Sequence, residues 1–436
     1  RDRRLARDLR QALQHLAGHP QITYYSLLFT GAYLVGRVLC EGDRGPGTGD
    51  GGRGTGDGSD RSPSPLHPFT PSPVHPFTPS PRHPLRAAAV AALGFAGAVA
   101  LGAGLAAAQL LPTLELTRLS VRPAKGSLDL ATYYMLPFPH LVTLVSPFFF
   151  GDPGRNTYRF LWGDHGVLFW ENCGYVGLIP LLLALYAVRA RLRDRRVALL
   201  AGAVVVSLLL AMGKQTPLFP FLWRHFPGMG AFRIAARFLL VTDVALAALA
   251  GFGLDLLRRR LPARPKVLAA VLGLCFAVTA GELLYYGSRQ YAAVDARKWL
   301  GPAPVMADVG PDRERYRAYT WHEAIPWLET LEHAGGWQRD PDALYPLRNT
   351  LLPNFSVLQG MPHFSAYSGF VLPDSGMVRG RVTLLLIEGS PDAIRAALRL
   401  LGLYNVGYVA TPEDLAPGGG CLVRTYPVPG SPDHPI

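Results

Sequence analysis

Two stretches decide what this chain is able to fold into: 87-AAAVAALGFAGAVALGAGLAAAQLL-111 and 267-VLAAVLGLCFAVTAGELLYY-286. Each is an almost unbroken apolar run of about 20 residues. A helix rising about 1.5 Å per residue then crosses roughly the 30 Å hydrocarbon core of a bilayer. In lipid every backbone polar group must find its partner inside the fold, which leaves only helices and closed barrels. These runs lack the in–out alternation of barrel strands. The pattern predicts an α-helical polytopic membrane protein. Composition agrees, because 49% of the 436 residues are hydrophobic and 17% charged, below the usual charged share of about 25%.

Extending the same reading along the chain gives spans at 22–39, 87–111, 174–188, 197–212, 238–257 and 267–286, within a transmembrane domain over 1–286. The net charge of +12 gathers in the short connectors 189-RARLRDRR-196 and 258-RRRLPARPK-266. Basic connectors stay on the cytoplasmic side, so the charge reads as membrane topology and not as a nucleic-acid footprint. Alternation then places loops 112–173 and 213–237, and everything after 287, outside. It also places 1–21 outside, against the basic run 1-RDRRLARDLR-10; a further span upstream of Arg1 would relieve this, and the chain reads as truncated at both ends. Cys275 falls inside a span and Cys40 at the inner end of another. Cys173 and Cys421 both fall outside, where they are able to meet, although their spacing does not require it.

The segment 41–86 is expected to be a disordered cytoplasmic insertion. Its first part, 41-EGDRGPGTGDGGRGTGDGSD-60, is glycine-rich but has no G-K-[ST], which argues against a phosphate-binding loop. Its second part, 64-SPLHPFTPSPVHPFTPSPRHP-84, repeats with period eight. Its proline density imposes extended polyproline-like backbone, which splays His67, His75 and His83 apart as metal ligands. From 287 to 436 charge and turn formers return. Strand-like 315-RYRAYTW-321 and 405-NVGYVAT-411 flank the amphipathic helix pattern 391-PDAIRAALRLLGL-403, predicting a small soluble α+β domain on the extracytoplasmic face.

With this topology the acids Glu115, Glu171, Asp243 and Glu282 approach one outer interface from different helices. An ionisable group at mid-bilayer costs about 2.5–3.5 kcal/mol, so such groups usually face a cavity or a partner. Arg118, Arg122, Arg233 and Arg237 lie in the same layer, and guanidinium is the natural fork for phosphate oxygens. The reading is a polar outward-facing cavity with lipid-phosphate contacts from the arginines. The plainer reading stands beside it: acids solvated at helix ends, and arginines snorkelling or pairing with those acids. The aromatic loop 133-YYMLPFPHLVTLVSPFFFGDP-153 carries His140 and forms either a floor for a lipid substrate or ordinary interfacial packing. Residues 160–173, with Trp162, Asp164, His165, Trp170 and Glu171, read as the polar rim of the cavity where the chain enters lipid. A lone histidine such as His140 equally suits a structural role.

The blocks 109-QLLPTLELTRLSVR-122, 170-WENCGYVGLIPLLLAL-185 and 213-GKQTPLFPFLWRHFPGMGAFRIAARF-238 resemble the bacterial YfhO-type membrane proteins. So do 18-GHPQITYYSLL-28 and 248-ALAGFGLDLL-257 and, more loosely, 349-NTLLPNFSVLQGMPHFSAYSGF-370 and 403-LYNVGYVAT-411. That family is similar to GT-C glycosyltransferases. The resemblance implies catalysis on the extracytoplasmic face of a bacterial inner membrane, a polyprenyl-phosphate sugar as donor and a cell-envelope polymer as acceptor. A carboxylate would deprotonate the acceptor hydroxyl while arginines, with or without a divalent cation, stabilise the departing lipid phosphate. GT-C enzymes place a catalytic acid in the first outer loop, upstream of where this chain begins, so the resemblance assigns no catalytic base here. A transporter or flippase of a lipid-linked precursor, and a non-catalytic envelope subunit using 287–436 to bind a partner, are the alternatives.

Overall fold

The computed structural model describes residues 25–34, 84–120, 126–158, 168–231, 233–261, 264–322, 324–353, 355–365 and 372–427. The glycine/proline-rich insertion up to residue 83, with its three histidines, lies outside them, as do Cys40, Arg122, Trp162, Asp164 and His165. The fold is mostly helical, and among the described residues two helices are long and apolar enough to cross a membrane, over Ala235–Arg260 and Pro265–Gln290. The chain divides into two compact units, Arg1–Ala107 with Arg193–Leu199, and Ala108–Leu192 with Leu200–Ile436. In the first, the helix over 25–34 lies against Pro84–Leu105 (α1), with Gly31 close to the ring of Phe95.

The run expected as one span over 87–111 is interrupted. α1 ends at Leu105, Ala106 forms a turn, and a second helix runs over Ala107–Leu119 (α2). Pro112 lies inside α2 and cannot donate a backbone hydrogen bond. Thr113 and Thr117 turn their hydroxyls back onto the carbonyls of Gln109 and Thr113, each at 2.7 Å. The expected span 174–188 becomes a helix only from Leu178 to Arg191 (α3), because 173–177 runs extended to meet the loops around it. Arg195–Ala211 (α4) follows, then the short amphipathic Leu218–His225 (α5).

The helical core of the second unit is Leu239–Arg260 (α6) against α3. The contact is close because both surfaces are small. Ala184 and Ala187 of α3 are buried, as are Ala245, Leu249 and Gly253 of α6. A Cβ at Gly253 would lie 2.0 Å from the carbonyl oxygen of Leu183, so only glycine permits this approach. Ser207 of α4 and Thr242 of α6 share a buried hydroxyl bond of 2.7 Å. Three arginines, Arg258 to Arg260, close α6 at its carbonyl end, where positive charge is favoured. Pro265–Gln290 (α7) starts with proline in its first turn, where the missing N–H is not needed.

The region after α7 holds Arg317–Thr320 (β1), Ala324–His333 (α8), Pro373–Glu388 (α9), Pro391–Leu403 (α10) and Val406–Ala410 (β2). The two strands pair in parallel, which requires a long crossover, here supplied in part by α9 and α10. Ser390 caps α10 by accepting from the Ala393 N–H. One core packs Tyr319 and Trp321 against Val382, Leu385, Ala397 and Leu401. Another packs Ala303, Val305, Val309, Leu351 and Met361 around Ala318.

This region is tied to the loop before α3. Arg289 donates to Asp152 at 2.7 Å, the Gln338 N–H to Gly154 O at 3.0 Å, and Asn156 Nδ2 to Leu331 O at 3.5 Å. Gly336 sits at φ +91°, and a Cβ there would lie 2.3 Å from Gly154 O. Cys173, Cys275 and Cys421 are free thiols.

Candidate functional site

The polar residues before α3 are organised by one short segment, 168–177. Its centre is Asn172, which is fully buried. The Asn172 amide donates to Met135 O at 2.7 Å and accepts from the Leu168 N–H at 3.2 Å. The Thr143 hydroxyl lies within reach of two carbonyls, His140 O at 2.6 Å and Asn172 O at 3.2 Å. Gln215 joins the same frame, donating to Leu136 O and accepting from the Phe138 N–H. The aromatic loop over 133–150 is thus stitched to the segment by hydrogen bonds as well as packing. Asn172 matters because buried backbone carbonyls left without donors would cost about 1–3 kcal/mol each.

Around this frame the expected site residues take distinct places. Glu171 and Arg237 meet as an ion pair: Arg237 donates from Nε to both carboxylate oxygens at 3.1 and 3.0 Å, and from Nη2 to Oε1 at 2.7 Å. Of the two readings of these residues, cavity-lining acid with phosphate-binding arginine or arginine paired with acid, the second is the one seen for Glu171 and Arg237. Arg237 sits in the 3₁₀ turn Ala235–Phe238 that leads directly into α6, and Glu171 in the single turn Phe169–Asn172.

Asp243 stands about one turn into α6. Its Oδ1 is buried and accepts no hydrogen bond from any described residue. Gly174 packs beside it: a Cβ added there would come within 3.3 Å of that oxygen. Cys173, just outside α3, is held up at about 11, by burial first and by the Asp243 charge as well. Its thiol is therefore protonated and unreactive at neutral pH.

Glu282 of α7 reaches across to the start of α3. It accepts from the Leu178 N–H and from the Tyr175 hydroxyl, each at 3.1 Å. A carboxylate at this point offsets the unpaired amides of the helix start. His140 does not line an open space. It is buried, its Nε2 lies 3.0 Å from the Tyr158 hydroxyl, and its ring stacks on Phe150 at 4.5 Å. Burial lowers its pKa from 6.5 to about 4, so the ring is neutral at physiological pH. Burial, with a contribution from Cys173, raises the Tyr158 hydroxyl above its ordinary value.

Glu115 and Arg118 do not join this group; both are exposed on α2, a helix with no buried residue. Arg233 is exposed in the approach to α6. The structure thus gathers Glu171, Arg237 and Asp243 around 168–177, adds Glu282 through Tyr175, and holds His140 in the adjoining loop. Sequence reasoning passed over Asn172, Tyr158 and Tyr175. Asn172 stood in view inside 170-WENCGY-175; Tyr158 carried no local signal. Among the described residues no three His, Cys, Asp or Glu side chains converge to hold a metal ion.

Comparison with family models, with curated proteins and with solved structures returned no match.

Proposed function

We propose that this chain is a multi-pass membrane glycosyltransferase of the YfhO type, with a GT-C-like arrangement. It would transfer a sugar from a polyprenyl-phosphate donor to a cell-envelope acceptor on the extracytoplasmic face of a bacterial inner membrane. The observation that carries the reading is Asp243. Its carboxylate oxygen is buried without a donor near the end of a helix long and apolar enough to span a bilayer. Ionisable groups in such helices are expensive and usually functional. The Glu171–Arg237 pair, held by the same segment 168–177, supports the reading by fixing a second carboxylate and a guanidinium.

In the proposed reaction the acceptor O–H gives its proton to the Asp243 carboxylate as its oxygen bonds to the anomeric carbon. The bond from that carbon to the phosphate oxygen breaks, and polyprenyl phosphate leaves. Arg233, exposed in the approach to α6, is assigned to the lipid phosphate; Arg118, exposed on α2 outside this group, is not. Glu171 is assigned to hold Arg237 in place, a positioning role. The aromatic loop over 133–150, with Phe138 and Phe149 exposed, supports an interfacial floor for the lipid. Transfer of radiolabelled sugar in membranes carrying the full-length protein tests this. Asp243→Asn is expected to lose at least about a hundredfold; unchanged turnover would remove Asp243 from the chemistry.

A second reading has an observation of its own. The interruption at Ala106, followed by Pro112 inside α2, suits a transporter of a lipid-linked precursor, because such proteins use broken helices at their substrate sites. Asp243 lies in the first half of the Ala235–Arg260 helix, and α6 itself has no break of that kind, which favours the enzyme for the site around Asp243.

A further inference from the structure

The small sheet after α7 is closed on one edge and open on the other. On the β1 side, residues 362–364 cover the strand: the Ala318 N–H donates to Pro362 O at 2.9 Å, and the Phe364 N–H donates to Ala318 O at 2.8 Å. On the far side β2 has no third strand among the described residues. The chain nevertheless returns there, as a segment without regular secondary structure over 421–427. No backbone hydrogen bond among the described residues joins that segment to β2. Between the two lies a cavity of about 620 Å³, lined by 407–416 on one wall and 420–426 on the other.

The slot is propped open at both ends. Asp308 accepts from the hydroxyl of Tyr426 and from Arg424 Nη1, fixing the outer wall at its C-terminal end. Near the other end the Gly420 N–H bonds Leu415 O at 3.1 Å, and Glu413 accepts from Trp321 Nε1 at 2.9 Å. Val305 and Leu351 line it as apolar floor. Leu422 and Val423 stand 81% and 61% exposed on the lip.

The ligand class follows from these groups. The polar side chains around the slot are engaged with the fold: the Tyr408 hydroxyl donates to Asp312, and Asn349 accepts from the Val305 N–H. A sugar ring needs polar side chains turned toward it. An open strand edge between apolar walls instead suits added backbone, with main-chain hydrogen bonds giving affinity and alternate side chains giving selectivity. β2 is five residues long, about 16 Å at 3.3 Å per residue, and the cavity volume is that of an ordinary ligand pocket. Asp308, Glu413 and Asp414 also line it and are engaged too: Asp308 by Tyr426 and Arg424, Glu413 by Trp321 and His322, and Asp414 by the Ala416 N–H. Three carboxylates against the one lining arginine, Arg424, still leave the wall net negative, which favours a basic ligand.

We propose that this slot binds an extended peptide as a third strand beside β2, with apolar residues alternating with lysine or arginine. The inference is independent of the chemistry assigned to Asp243. The test is fluorescence anisotropy of the whole detergent-solubilised protein with a labelled octapeptide that alternates valine and lysine. Saturable binding is expected, together with slower amide exchange over 406–411. N-methylation of alternate peptide nitrogens should weaken binding about tenfold, and glutamate in place of lysine about fivefold. Leu422→Glu, on the exposed lip, should strengthen attraction for lysine at that end but lose apolar cover, so Leu422→Ser is the cleaner variant, and it should weaken binding about threefold. Equal binding by the N-methylated peptide would overturn strand addition. So would absence of binding with the 406–411 amides already protected, the result expected if the chain's own continuation fills the slot.

Discussion

Arg237 closes on Glu171 with both carboxylate oxygens engaged, although 66 positions separate them in the chain. Their side chains are only 22% and 14% exposed, so neither charge is well placed to fall back on solvent. Removing one partner should therefore hurt more than removing both. Arg237→Met alone is expected to lower stability by about 3 kcal/mol, while the double variant Glu171→Gln/Arg237→Met recovers most of it. Thermal unfolding of the wild type, Glu171→Gln, Arg237→Met and the double variant in one detergent reads the coupling. Additive effects would mean that the two side chains do not act as a pair.

His140 gives a pH dependence of definite sign. Its folded pKa of about 4 lies below the ordinary 6.5. Between these values the unfolded chain binds the extra proton and the folded one does not, so stability falls as pH drops from about 6.5 toward about 4. Above 6.5 both states are neutral and the contribution is fully present. His140→Asn should flatten this limb of the unfolding profile, and Tyr158→Phe should cost about 1 kcal/mol through the lost hydroxyl contact. A wild-type profile without that limb would contradict the burial of the ring.

The approach of α3 and α6 depends on Gly253. Any side chain there meets Leu183 O, so Gly253→Val should force the helices apart and expose Ala184 and Ala187. A loss of at least about 2 kcal/mol is expected. Gly251→Ala, where an added Cβ meets nothing within 4 Å, is the control and should be close to neutral. Equal losses at both positions would deny the close contact.

The junction between the loop at 150–156 and the segment at 331–338 should open as a unit. Gly336→Ala puts a side chain on a left-handed backbone and against Gly154 O, a strain of about 1–3 kcal/mol. Arg289→Ala removes the closer of the two arginines on the buried Asp152, leaving Arg155 at 3.8 Å. Either change is expected to speed amide exchange in both segments together, leaving α6 as protected as before. Faster exchange in only one segment would show that they are not coupled.

Much of this was legible in the sequence where one segment carried its own signal. Pro391 with its amphipathic period marked α10, and the two β-branched, aromatic-rich runs marked β1 and β2. The long apolar run marked α7. What sequence could not convey was pairing at a distance. Glu171 and Arg237 were both visible as charges near one interface, but whether they faced a cavity or each other depended on the path of 168–177, which is set by Asn172 reaching a carbonyl 37 positions away. The break at Ala106 was hidden for another reason. An alanine and glycine run carries no turn signal, and the one visible helix breaker, Pro112, sits six residues beyond the break and inside a helix.

The central proposal is that the Asp243 carboxylate, about one turn into α6, acts on a lipid-linked sugar. Release of free polyprenyl phosphate from a polyprenyl-phosphate sugar, by purified full-length protein in lipid nanodiscs, tests it most directly. The account predicts release by the wild type that depends on acceptor, and loss of at least about a hundredfold in Asp243→Asn with an unfolding temperature no lower than that of the wild type. A wild type that moves or binds the lipid-linked sugar without ever freeing the phosphate, or an Asp243→Asn protein that frees it at the same rate, would contradict the account.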